Sequence, residues 1–304
     1  MTKILMCWEL GAGQGHLGRL APIAKHLREY GYDIDLASRI LRPVRSLFSD
    51  AVNSIYQAPI QLSPGGEGTF PTLGFPHVLN NVGYVSVDSL EPLVRAWFNL
   101  FDVAKTEIVI ADHSPTAVLA AHIAGLRYIT VGNGFELPPA HSTLPSFAAN
   151  LTASDKSALD FCHSSVTANI NAVLSIFSKP PLEMASDLYA SAVRNLLLTF
   201  SETDHYGPRI ETAYFGLPTE AAGVEPTWPS RPGKKVYASL KSSPGLKEFF
   251  SSLRQLLISL LVYHNALPRD SVEHCATDNI RFTGERLNLQ TIADEADRAL
   301  LNDT

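Results

Sequence analysis

The chain has 304 residues, 45% of them hydrophobic, and a formal net charge of -6 from 24 basic and 30 acidic side chains. That content can bury a sizeable core, the length suggests two domains, and the acidic balance argues against a nucleic-acid surface, which needs a concentrated positive face. No apolar run approaches the ~20 residues of a membrane span, no signal peptide is visible, and Cys7, Cys162 and Cys275 lack disulfide or zinc spacing, so the expected setting is cytoplasmic with reduced thiols.

In chain order, KILMCWEL has the length and apolar character of a buried strand. The glycine-rich stretch WELGAGQGHLGRL follows, and then Leu17, Leu20, Ala24 and Leu27 recur at helical spacing up to a stop at Gly31. DIDLAS reads as the next strand, which completes a βαβ unit and implies a parallel sheet. Residues 57–83 are rich in Pro, Gly, Ser and Asn and read as a long loop of the kind that is often functional. A helix is expected over 89–101, a strand at EIVIAD, a helix after it with Ser114 as N-cap and Pro115 at the first helical position, and a strand-to-loop unit at RYITVGNG. Residues 146–192 look helical with a break at Pro180-Pro181, and NLLLTF and TAYFG read as short strands.

Residues 217–233 are Pro- and Gly-rich without periodicity, a linker between a domain at 1–216 and a second one at 234–304. In the second, KKVYASL, SLLVYH, NIRFT and ADRALL read as strands. SSPGLKEFFSSLRQLL reads as a helix capped by Ser243, and LNLQTIADEAD as another helix. Only about 70 residues follow the linker, against the ~100–150 of a doubly wound domain. The expectation is a second domain cut short, whose uncovered sheet edge could drive self-association.

Three readings compete for the glycine loop. A P-loop is set aside, because Arg19-Leu20 stands where Lys-Ser/Thr would be needed. Gly13, Gly15 and Gly18 satisfy the dinucleotide fingerprint. The second strand, however, ends at Ala37-Ser38-Arg39 without the acidic residue that holds an NAD ribose, so only an NADP version survives. The third reading starts from His16. An imidazole at a strand-to-helix turn faces the crevice at the carboxyl edge of the sheet, where it can serve as a general base. The glycines would let a substrate approach the backbone closely. Asp112 ends EIVIAD on the same edge and is the candidate to hold the other ring nitrogen. The plainer alternatives are that His16 packs or caps its helix and that Asp112 serves the dipole of the following one. His113 is a weaker rival base.

Together, WELGAGQGHLGRLAPIAKHLREYGYDIDLASR, VIADHSPTAVLAA, GNGFELPP, TFSETDHYGPR and WPSRPGKKVYASLKSSPGL resemble GT-B glycosyltransferases related to UDP-glucosyl- and glucuronosyltransferases, over nearly all of the chain. The resemblance implies an α/β protein with a Rossmann-like acceptor domain and a second Rossmann-like domain for a nucleotide-sugar, facing each other across a cleft. It implies that His16 deprotonates an acceptor hydroxyl with Asp112 as its partner, that configuration inverts, and that neither a resident cofactor nor a metal is required. A UDP-sugar is the expected co-substrate and a small hydroxyl-bearing molecule the acceptor. Asn133, Gly134, Phe135 and Glu136 follow a strand of the first domain and could shape the substrate pocket, or form an ordinary turn with Phe135 in the core. Lys241 and Ser243 stand where a diphosphate would be favourable, although a solvated surface lysine is the alternative. The family's glycine-rich donor motif would follow ADRALLND, beyond Thr304. The sequence therefore also allows an acceptor-binding remnant with weak or no transferase activity.

Overall fold

The structure is a computed structural model and describes residues 2–12, 14–61, 72–140, 142–147, 150–210, 212–217, 223–264, 267 and 269–301. The chain forms two compact units, Met1–Thr219 and Glu220–Thr304.

The first unit runs β1 (Lys3–Trp8), α1 (Gly15–Glu29), β2 (Asp33–Ser38), α2 (Val44–Phe48), β3 (Ile55–Gln57) and α3 (Phe75–Leu79). After a π-type turn at Asn80–Tyr84 come α4 (Val87–Ala104), β4 (Ile108–Asp112), α5 (Pro115–Ala124), β5 (Arg127–Gly132), α6 (Ala153–Ile176), α7 (Asp187–Ala190) and β6 (Arg194–Leu197). The six strands form one parallel sheet in the order β3-β2-β1-β4-β5-β6. Strand alternation sends successive side chains to opposite faces, and both faces are covered. Leu5 and Cys7 of β1 join one core cluster with Trp97, Phe75 and Tyr84, while Ile4, Met6 and Trp8 join the other with Leu17, Leu20 and Phe48. This is why β1 reads as a continuous apolar run.

Local signals fix several helix ends. Ser86 Oγ accepts the Ser89 amide at the start of α4. At the start of α6, Thr152 and Asp155 form a reciprocal capping box. Two local expectations fail. Pro115 does open α5, but the Ser114 hydroxyl donates to the Asp112 carbonyl instead of capping the helix. The Glu9 carboxylate takes that place by accepting the amides of Thr116 and Ala117. TAYFG forms no strand; Tyr214 makes a single bridge to Leu197.

The expected 57–83 loop is also corrected where it is described. Residues 62–71 lie outside the described residues, but 75–84 are helical and packed. Phe75, Leu79 and Tyr84 are core residues, and the Phe75 amide donates to the Pro145 carbonyl.

The second unit runs β7 (Lys234–Ser239), α8 (Leu246–Leu253), β8 (Ile258–Tyr263), α9 (Arg269–Cys275), β9 (Ile280–Thr283), α10 (Leu289–Glu295) and β10 (Arg298–Leu301). Its parallel sheet has the order β10-β7-β8-β9. Ser243 does not cap α8. That helix begins two residues past Pro244, behind Gly245, whose φ of 83° lies in the left-handed region. The unit has its own small cores, one around Phe250, Leu260 and Ile280 and one around Tyr237, Leu261 and Ile292.

Candidate active site at the carboxyl edge of the first sheet

The strand order turns back at β1, which has β2 on one side and β4 on the other. Trp8 at the end of β1 is in register with Asp112 at the end of β4. The loops leaving these two strands therefore emerge side by side, at the kind of switch point where open α/β sheets bind ligands. The Leu10 amide donates to the His113 carbonyl at 3.0 Å and ties the loops together.

His16, in the first turn of α1, meets Asp112 there. Its Nδ1 lies 2.9 Å from Asp112 Oδ1, with the carboxylate fully buried and the imidazole 9% exposed. A carboxylate only accepts, so the neutral ring carries its proton on Nδ1 and leaves the Nε2 lone pair free. Trp8 and His113 stack on the ring at centroid distances of 5.2 and 5.8 Å. A Cβ at Gly11 would stand 2.5 Å from Nε2, and Gly11 has a φ of 92°. Glycine there keeps the basic nitrogen uncovered.

Arg19 lies one helical turn beyond His16. Its Nη1 donates to both Asp112 oxygens at 3.0 and 3.2 Å and to Glu136 Oε2 at 3.1 Å, while Nη2 reaches Glu136 Oε1 at 3.4 Å. Glu136 Oε1 is 3.9 Å from His16 Nδ1. Burial works against the Arg19 charge, but the two carboxylates more than offset it and hold its pKa above the usual value. His16, Asp112 and Glu136 bring ligand atoms within 4.8 Å of one another, a spacing that could suit a metal. The guanidinium occupies the position between the carboxylates and supplies the cation itself.

Two further buried groups frame the site. Glu9 accepts from Thr116 Oγ1 at 2.5 Å as well as from the α5 amides, and burial raises its pKa from 4.5 to about 7 despite these hydrogen bonds. His113, with a left-handed φ of 45°, is held neutral; burial, then the neighbouring His16, Arg19 and Arg39, push its pKa down to about 3. A ring so reluctant to take a proton is a poor base at neutral pH.

The other expected residues separate. Gly13 lies outside the described residues. A Cβ at Gly15 would meet nothing within 4 Å, so packing does not demand glycine there. Asn133 builds a turn, its Oδ1 accepting the amides of Phe135 and Glu136, while its own amide donates to Glu136 Oε2 at 2.5 Å. That turn aims Glu136 at Arg19. A Cβ at Gly134 would collide with Asp204 Oδ1 at 2.0 Å, so this glycine makes room for a buried carboxylate held by Arg209 and Tyr214. Phe135 is half-buried and stacks on Phe147 at 4.9 Å, with His113 at 5.8 Å on another side. Lys241 and Ser243 are exposed in the second unit, between β7 and α8. Sequence reading missed Gly11, Trp8, Glu9 and Arg19 as parts of the site. The signal for Arg19 was its i+3 spacing from His16, which puts both on one helix face.

Two Rossmann-like parallel sheets in one α/β chain make the fold of the GT-B glycosyltransferases. No protein-family model and no curated protein matches the chain, but solved structures do. The calicheamicin glycosyltransferase CalG4 superposes with a TM-score of 0.63 at 13% identity, covering 100% of this chain and 75% of that one. SnogD from Streptomyces nogalater gives 0.61 at 12% identity, with 100% and 76% covered. The glycosyltransferase VinC, in complex with dTDP, gives 0.58 at 13% identity, with 98% and 75% covered. At these identities the likeness establishes the fold.

Proposed function

We propose that the chain is an inverting glycosyltransferase that moves a sugar from a nucleotide-sugar to an acceptor hydroxyl. The observation that carries this reading is the buried 2.9 Å contact between His16 Nδ1 and Asp112 Oδ1, which leaves Nε2 as a free base. The acceptor O–H gives its proton to Nε2 while its oxygen attacks the anomeric carbon. The bond from that carbon to the diphosphate oxygen breaks, the leaving nucleotide keeps the electron pair, and attack from the opposite face inverts the configuration. Asp112 stabilises the imidazolium as it forms.

The nucleotide is UDP or dTDP in this reading. The sequence resemblance favours the first, and the dTDP bound to VinC, with the thymidine diphosphate bound to the spinosyn rhamnosyltransferase SpnG, favours the second. Lys241 and Ser243 are proposed to meet the diphosphate from the second unit, Phe135 to line the acceptor, and no resident cofactor or metal takes part. A cytoplasmic setting belongs to the same reading; among the described residues, no helix is long and apolar enough to cross a membrane.

The test is incubation with radiolabelled UDP- and dTDP-sugars and a panel of alcohol and phenol acceptors. Transfer is expected, and His16→Ala should lower it by about 10²–10⁴-fold, the usual contribution of a positioned base. Transfer that survives His16→Ala undiminished would remove the mechanism.

A further inference from the structure

The His16–Asp112 pair does not stand alone. A second carboxylate, Glu136, approaches the same ring nitrogen, and a single guanidinium lies across both acids. Arg19 is 12% exposed, and Glu136 is 7% exposed. Two buried anions beside one imidazole would favour its protonated form strongly, and a histidine already protonated at working pH cannot accept a proton.

We propose that Arg19 is a positioning residue that acts as the fixed counter-cation of the site, cancelling one of the two carboxylate charges that face the His16 imidazole and holding Asp112 in place against it. Every charged or titratable group around the ring enters this balance. Arg19 comes from α1, Asp112 from the end of β4, and Glu136 from the turn after β5. His113, stacked on the ring from the β4–α5 loop, is neutral. Glu9, after β1, is turned to the α5 amides, and Arg39, after β2, donates to the Glu9 carbonyl. Close to the imidazole the sum is two negative charges and one positive. The same guanidinium, bonded to both Asp112 oxygens, fixes the carboxylate plane so that Oδ1 faces Nδ1.

The catalytic meaning of this balance rests on the proposed sugar transfer, but the charge balance can be read without substrate. The experiment follows the His16 imidazole by NMR through a pH titration of the full chain, with the signal assigned by its loss in His16→Ala. In Arg19→Gln the titration midpoint should rise, as expected for losing the one positive charge beside two carboxylates. Arg19→Lys should stay near the wild type. Glu136→Gln, which leaves Arg19 paired with Asp112, should lower the midpoint. Arg19→Gln combined with Glu136→Gln should return it toward the wild-type value, which a merely structural role for Arg19 does not predict.

An unchanged or lower midpoint in Arg19→Gln would overturn the proposal, as would an unchanged midpoint in Glu136→Gln. Glu136→Gln keeps the proposal testable if Arg19→Gln does not fold. If these shifts appear in a chain that transfers no sugar, the charge balance stands and the transferase reading falls. If transfer occurs and the shifts do not, the reverse holds.

Discussion

A methyl group at Gly11 would stand 2.5 Å from His16 Nε2, on a backbone whose φ of 92° already disfavours a side chain. Gly11→Ala is therefore expected to destabilise the fold by about 1–3 kcal/mol through backbone strain and to displace the imidazole. Chemical denaturation checks the first effect. A fall in kcat larger than the change in KM, in the assay that detects transfer, checks the second. Glu9 makes a different prediction. Its pKa in the folded chain is raised to about 7 from an ordinary 4.5, mainly by burial. A raised carboxylate contributes stability that is full below the lower value and lost as pH rises through the higher one. Glu9→Gln keeps an acceptor for the α5 amides and carries no charge. Its stability relative to wild type should improve by about 3 kcal/mol between pH 4.5 and pH 8, measured as paired urea midpoints. A flat difference across that range would mean that Glu9 stays ionised.

At the scale of elements, central strands such as β1, β4 and β8 were legible because their runs are apolar and largely buried, whereas the three-residue edge strand β3 carries no such run and was not read, and β10 was read although it is exposed along its length. His16 and Asp112 were legible for a related reason: each ends or follows a strand on one sheet edge, where topology alone brings them near. What was hidden depends on pairings across long stretches of chain. Glu136 meets Arg19 across 117 residues, and no local pattern announces that distance. The helical segment at 75–84 was hidden because Pro76, Asn80, Asn81 and Gly83 are loop punctuation in most settings. Here Pro76 sits at the helix start, where a missing amide costs nothing, and Gly83 takes a φ of 118° inside the turn. Contacts with α6 override the local preference. If this segment is part of the core, Phe75→Ala should cost about 3–5 kcal/mol in a urea titration, whereas a residue of a loose loop would cost almost nothing. Ser243 failed as a cap for a local reason: Gly245 turns the chain into a left-handed conformation before α8 can start.

For the whole molecule, the two units carry separate cores, and every residue of the His16 network lies in the first. A chain ending at residue 217 is therefore expected to fold alone and to keep the His16–Asp112 contact; loss of its tertiary circular-dichroism signal would show that it needs the second unit. Pairing of β1 with β4 joins segments about a hundred residues apart, the kind of contact that forms late because a long loop must close first. The face-to-face stack of Trp8 on His16 is set on one side of that seam, beside Asp112 on the other. An excited indole loses its emission readily to a neighbouring imidazolium and much less to a neutral imidazole. Trp8 is thus a built-in optical probe placed against the His16 ring, with no label attached.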